Sequence, residues 1–69
     1  NMFNSAKFTL RQVELEFDKV QERHHNKLKL DKENYQDSAE MKANIAVMDA
    51  LGVATESLRE IYDEYNKSL

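Results

Sequence analysis

Apolar residues in the first third of the chain recur at alternating steps of three and four positions. The positions are Phe3, Ala6, Leu10, Val13, Phe17 and Val20, and the polar His24 continues the same spacing. This heptad spacing predicts a helix whose narrow apolar seam suits contact with one neighbouring helix. We expect the helix to span residues 4–28. A later start at Thr9 is the alternative, because Thr9 and Gln12 are spaced as in a capping box.

Two apolar residues lie on the opposite face of this predicted helix. Phe8 and Leu15 are seven positions apart, and at about 100° per residue both point away from the seam. They indicate either ordinary surface exposure or a second contact surface, and the sequence leaves both interpretations open.

A polar segment without a helical apolar pattern follows and predicts a loop over residues 29–37. We expect Leu30 and Tyr35 in this loop to fold over the open end of the core. The loop leads into a second capping box, in which Asp37 is the predicted N-cap and Glu40 follows three positions later. Ser38 is the alternative N-cap.

Two overlapping apolar seams run along the second half of the chain. One comprises Met41, Met48, Leu51, Thr55, Leu58, Tyr62, Tyr65 and Leu69, and the other comprises Val47, Leu51, Ala54, Leu58, Ile61 and Tyr65. Together they cover about 160° of a helix, a width typical of a helix that contacts two partners in a bundle. We expect this helix to span residues 38–67, about 45 Å at the rise of an α-helix.

Gly52 lies in the middle of this segment and leaves two architectures open. Both seams keep their phase across Gly52, which favours one continuous helix. Alternatively, Gly52 ends a helix at Leu51 and a third capping box, from Ser57 to Glu60, begins another. The first alternative gives an antiparallel hairpin of two long helices, and the second gives three helices.

Composition restricts the class of protein further. The chain has 69 residues with one glycine, no proline and no cysteine, which excludes a disulfide scaffold and disfavours a turn-rich all-β fold. It predicts a single all-α domain over residues 1–69. No long apolar run and no signal-peptide pattern are present, so we expect a cytoplasmic protein that does not enter a membrane. Asn1 precedes a methionine and is interpreted as the remnant of a tag.

Candidate catalytic and metal-binding groups are few. Glu22 and His25 have the Glu-x-x-His spacing of di-iron bundles, but the second segment has no acidic residue at the centre of its apolar face to complete such a site. No cysteine nucleophile and no glycine-rich phosphate loop exist. We therefore expect no enzymatic activity, cofactor, metal or small-molecule substrate. His24 and His25 indicate a solvated pair near a helix end or, for His24, a pH-dependent contact.

Charge is distributed unevenly along the chain. Residues 1–32 carry seven basic and five acidic side chains, whereas residues 33–69 carry three basic and eight acidic ones, for a total of −3. The basic first segment suggests an alternative function as a nucleic-acid-binding hairpin homodimer. The interspersed carboxylates and the lack of aromatic residues among the lysines make nucleic acid the less favoured partner.

Association with another chain is the expectation that connects these observations. Two helices of this size, without a disulfide or a metal site, rarely form a stable core alone. We expect the hairpin to complete a four-helix bundle with a second copy of itself or with a different protein. The sequence thus predicts a non-enzymatic interaction module, such as an adaptor, inhibitor or co-chaperone. The predicted partner-binding residues are Met48, Leu51, Leu58, Tyr62 and Tyr65.

In size, helix count and loop position, the chain resembles the small helical-hairpin co-chaperones of bacterial secretion systems and the hairpin dimers that control plasmid copy number. The first resemblance implies a protein partner and the second implies a nucleic-acid-binding homodimer. Neither is based on a residue motif, so no functional residues are carried over from either group.

Overall fold

The computed structural model describes the backbone of residues 2–69 and the side chains of Ser5 and of residues 7–69. Asn1, interpreted above as a tag remnant, lies outside the described residues. The first two positions of the predicted seam, Phe3 and Ala6, lie outside the described side chains.

The described chain forms an antiparallel helical hairpin. Helix α1 spans Met2–Leu30, the single-turn helix α2 spans Lys32–Tyr35, and helix α3 spans Ala39–Lys67. The long helices α1 and α3 pack against each other along a body of 52 × 15 × 14 Å, which confirms the predicted all-α hairpin. None of the helices in the described part of the chain contains a stretch apolar enough to cross a bilayer.

Helix α1 begins ahead of the predicted residue 4 and ends two residues later than predicted. Its early start shows that the alternative capping box at Thr9 is wrong. The Thr9 hydroxyl lies inside the helix and donates a hydrogen bond to the Ser5 carbonyl oxygen at 2.8 Å, as threonines within helices commonly do. At the other end, Lys27 and Lys29 occupy the last turn, where positive charge complements the helix dipole.

The predicted loop over residues 29–37 is partly wrong, because α1 continues through Leu30 and α2 occupies four residues of the connector. Tyr35 closes the end of the core as predicted and is only 3% exposed. The same expectation for Leu30 is wrong, because Leu30 is 82% exposed. The continuing helix fixes the direction of the Leu30 side chain, which points well away from the apolar seam.

Ser38, rather than Asp37, is the N-cap of α3. The Ser38 hydroxyl accepts a hydrogen bond from the Met41 backbone N–H at 3.0 Å. Asp37 instead has a φ of 63°, in the left-handed region that aspartate tolerates better than most residues. Asp37 therefore turns the chain, and the cap falls on the next residue.

Gly52 lies inside one continuous helix. Helix α3 runs unbroken from Ala39 to Lys67, in agreement with the constant phase of the two seams. The alternative break at Leu51 is wrong, and Ser57 and Glu60 are interior helical residues rather than the start of a new helix.

We expect the Gly52→Ala substitution to raise the free energy of unfolding by about 1 kcal/mol. A Cβ atom at this position would meet nothing within 4 Å, so the gain in helix propensity is not offset by a clash. Urea unfolding followed by circular dichroism measures the change. The matched control is Ala46→Gly at an exposed position of the same helix, which should lower stability by a similar amount. A destabilised Gly52→Ala variant would contradict the continuous, unobstructed helix.

Candidate partner-binding surface

The interface between α1 and α3 is apolar but incompletely enclosed. Val20 and Tyr35 are the only apolar residues that are buried in the described part of the chain, and no side chain there is completely enclosed. The other interface side chains are half-buried: Leu10, Val13, Phe17 and Leu28 from α1, and Met41, Met48, Leu51, Thr55, Leu58 and Tyr62 from α3. Two helices alone thus leave the core partly open to water.

A polar network closes the end of the hairpin beside the connector. The Tyr35 hydroxyl accepts a hydrogen bond from the Asn44 side-chain amide at 2.9 Å and lies 2.8 Å from Nδ1 of His24. The rings of His24 and Tyr35 meet edge to face, with their centroids 5.5 Å apart. Asn44 is 8% exposed, so its amide depends on this tyrosine for a partner. The network joins α1, α2 and α3 at one point.

His24 is held by a hydrogen bond through its Nδ1 atom. The Tyr35 hydroxyl accepts from the Asn44 side chain and forms a second hydrogen bond with Nδ1 of His24, in which either atom can be the donor. His24 is therefore a bonded structural residue, whereas the adjacent His25 is exposed.

Sequence reasoning did not identify Asn44, or the Tyr35 hydroxyl that it shares with His24, although a signal was present. The α3 seam steps directly from Met41 to Met48, because the intervening seam position is the polar Asn44. His24 interrupts the seam of α1 in the same way. Two polar residues on facing apolar seams indicate a buried polar contact.

Two ion pairs mark the two edges of the interface. Glu14 accepts from Arg59 at 3.3 Å on one edge, and Lys27 and Glu40 approach to 3.5 Å on the other. All four side chains are largely solvated, so each pair contributes at most about 1 kcal/mol. The pairs favour one register of α1 against α3 but add little stability.

The structure places the predicted partner-binding residues on two parts of α3. Met48, Leu51, Leu58 and Tyr62 are half-buried, because α1 covers this side of α3, whereas Tyr65 is exposed. Their role in binding a partner stays a prediction. A partner that contacts the first four would reach only the part of each side chain that α1 leaves uncovered.

Among the side chains that the structure describes, a second apolar surface of α3 is largely exposed beside the face that α1 covers. We define the edge stripe as Ala43, Val47, Ala50, Ala54, Ser57, Ile61 and Tyr65. The stripe lies about 90° around the helix from the side chains that face α1, on the side of the Lys27–Glu40 pair. Six of its residues are exposed and Ala54 is half-buried, and Ile61 is 58% exposed. None of the seven carries a charge.

The back of α1 carries a smaller apolar surface. Phe8 and Leu15 are exposed there, as the sequence predicted. They line an open groove together with Leu10, Tyr62 and four charged residues of α1: Lys7, Arg11, Glu14 and Asp18. The charges of both signs make this groove less apolar than the edge stripe.

The charged groups considered for other functions are dispersed. Within the side chains that the structure describes, no three histidine or acidic residues converge as metal ligands would. The basic residues of α1 point in several directions, and two of them have carboxylate partners: Lys19 lies 3.3 Å from Glu16, and Lys27 pairs with Glu40. Comparison with protein families, curated proteins and solved structures gives no match to this chain.

Proposed function

We propose that this protein is a non-enzymatic, cytoplasmic interaction module that completes its apolar core by packing against the helices of a partner chain. An adaptor, an inhibitor or a co-chaperone acts in this way. The observation that carries the proposal is the unclosed core: α1 and α3 leave most of their contacting side chains half-buried. Burial of apolar surface is the main favourable term in folding, so covering these side chains would stabilise the hairpin.

Further support comes from the chemistry of the uncovered surfaces. Exposed large apolar side chains occur on both long helices, including Phe8 on α1 and Val47 and Ile61 on α3. Helices with apolar residues at regular spacing bind other helices through interlocking side chains. A partner that offers helical apolar surface is therefore the kind that this protein fits.

The stability of the isolated chain tests the proposal. In dilute solution, at about 1 μM, we expect the monomer to unfold with a free energy below about 3 kcal/mol, because a core of this size gives little net stability. Binding of any partner to the folded form should raise the midpoint of thermal unfolding. Circular dichroism measures the free energy of unfolding and the thermal midpoint. Sedimentation velocity on the same samples gives the association state. A monomer that unfolds cooperatively with more than about 5 kcal/mol would contradict the proposal, since its core would need no partner.

A further inference from the structure

The edge stripe has the spacing of a helix-binding surface. Its residues follow one another at steps of four, three, four, three and four positions from Ala43 to Ile61, and Tyr65 follows one turn later. This heptad spacing is how a helix contacts a second helix along its whole length. Among the described side chains, the stripe from Ala43 to Ile61 is exposed except at Ala54, whereas the neighbouring face of α3 is half-buried against α1.

We propose that the edge stripe binds the edge stripe of a second copy of this chain, with the two α3 helices antiparallel and Ala54 near a twofold axis. The inference rests on the proposed function and names its partner. The resulting assembly is a four-helix bundle in which each α3 contacts its own α1 on one face and the partner's α3 on the next.

The sizes of the side chains favour the antiparallel direction. The half of the stripe nearest the connector carries Ala43, Val47 and Ala50, whereas the far half carries Ser57 and the larger Ile61 and Tyr65. An antiparallel pair centred on Ala54 sets Ala43 against Tyr65 and Val47 against Ile61 at both ends, and leaves the small Ala50 and Ser57 together beside the axis. The two ends of the pair then carry the same summed side-chain size. A parallel pair would place large against large at one end and leave a gap at the other.

Charge favours a second copy over a charged ligand. The uncharged stripe offers no ion pair to a nucleic acid or an acidic peptide. Lys42 and Glu64 lie beside it on the same flank, near opposite ends. In the antiparallel pair, Lys42 comes level with the partner's Glu64 to within two residues, or about 3 Å along the helix. Because the dimer has twofold symmetry, this contact occurs twice.

The solvent-accessible area of the hairpin is larger than that of a compact monomer of the same mass. The hairpin exposes 5435 Å². A compact monomer of 8.1 kDa exposes about 4,500 Å² on the usual scaling of area with mass. The excess of about 900 Å² is close to the roughly 800 Å² that each partner buries in a specific protein–protein interface. One interface between two copies is therefore enough to remove the excess.

Disulfide cross-linking tests the arrangement directly, because the chain has no cysteine of its own. We expect an Ala54→Cys variant to form a covalent dimer under mild oxidation at least about tenfold faster than Val53→Cys, because association raises the local thiol concentration. Val53 is 64% exposed and lies about 100° around the helix from Ala54, outside the stripe. Ala50→Cys and Ser57→Cys should cross-link poorly alone and efficiently when mixed. Efficient cross-linking of Ala50→Cys and of Ser57→Cys each to itself would overturn the antiparallel direction. An Ala54→Cys rate equal to that of Val53→Cys would overturn the interface.

Sedimentation equilibrium of charge variants separates this inference from the proposed function. Ile61→Glu should weaken dimerisation at least about tenfold, because it places a carboxylate in the apolar contact, whereas Val53→Glu should leave it within about threefold. A dimer in which both variants associate equally well overturns the stripe as the interface. A chain that stays monomeric and is only marginally stable would overturn dimerisation through the edge stripe but would agree with the proposed function. A stable, cooperatively folded monomer overturns both.

Discussion

Replacing Tyr35 with phenylalanine is expected to lower the free energy of unfolding by about 2 kcal/mol. The phenyl ring still fills the space at the closed end of the hairpin, but it leaves two polar groups without their partner. These are the Asn44 amide, 2.9 Å from the hydroxyl, and Nδ1 of His24, 2.8 Å from it. The cost arises mainly because the Asn44 amide is buried and cannot regain a bond to water. Urea unfolding at a fixed protein concentration measures the loss.

The two adjacent histidines supply the control for this network. His24→Ala should destabilise the parent protein but have a much smaller effect when Tyr35 is already phenylalanine, because the two residues act through one hydrogen bond. His25→Ala should have the same small effect in both backgrounds, since His25 is exposed. Equal stability of Tyr35→Phe and the parent protein would show that the network contributes nothing to folding.

Replacing Leu58 with aspartate is expected to lower the free energy of unfolding by about 3 kcal/mol, enough to unfold much of a chain with so small a core. Leu58 belongs to both seams of α3, and its half-buried side chain lies between the face covered by α1 and the edge stripe. A carboxylate there loses solvation without gaining a partner. Far-UV circular dichroism should show loss of helix, and sedimentation should show loss of association.

Val53→Asp is the matched control for Leu58→Asp. It introduces the same charge into the same helix, but Val53 is exposed, so the change in stability should stay below about 1 kcal/mol. If both variants lose helix to the same extent, helix propensity rather than packing explains the effect. Leu58 would then be excluded from the predicted partner-binding residues.

The helices and their faces could be predicted because the determinants act over a few residues. Heptad spacing indicated α1 and α3, and the constant phase of the seams across Gly52 favoured the single helix that the structure contains. The local alternatives were harder to separate. Asp37 and Ser38 are both suitable N-caps by residue type. Ser38 is the N-cap in the structure, because the backbone of Asp37 adopts the left-handed region.

The errors concern residues whose positions depend on distant parts of the chain. Leu30 was expected over the core, but α1 does not end before it, and its side chain follows the helix into solvent. Asn44 interrupts an apolar seam in the sequence, and in the structure it forms the buried contact with Tyr35. A polar residue on an apolar face needs a partner, and its identity depends on residues that only folding brings near.

The sequence by itself determined that the chain forms long helices, and it determined which of their faces are apolar, because periodicity and helix propensity are local properties. Only the tertiary structure decided which part of the wide apolar face of α3 is covered by α1 and which part remains as the edge stripe. That division depends on the direction in which the connector turns at Asp37 and on the register set by Tyr35, His24 and Asn44. The hydrogen bonds of Tyr35 join residues 9 and 11 positions apart, and no local pattern specifies them.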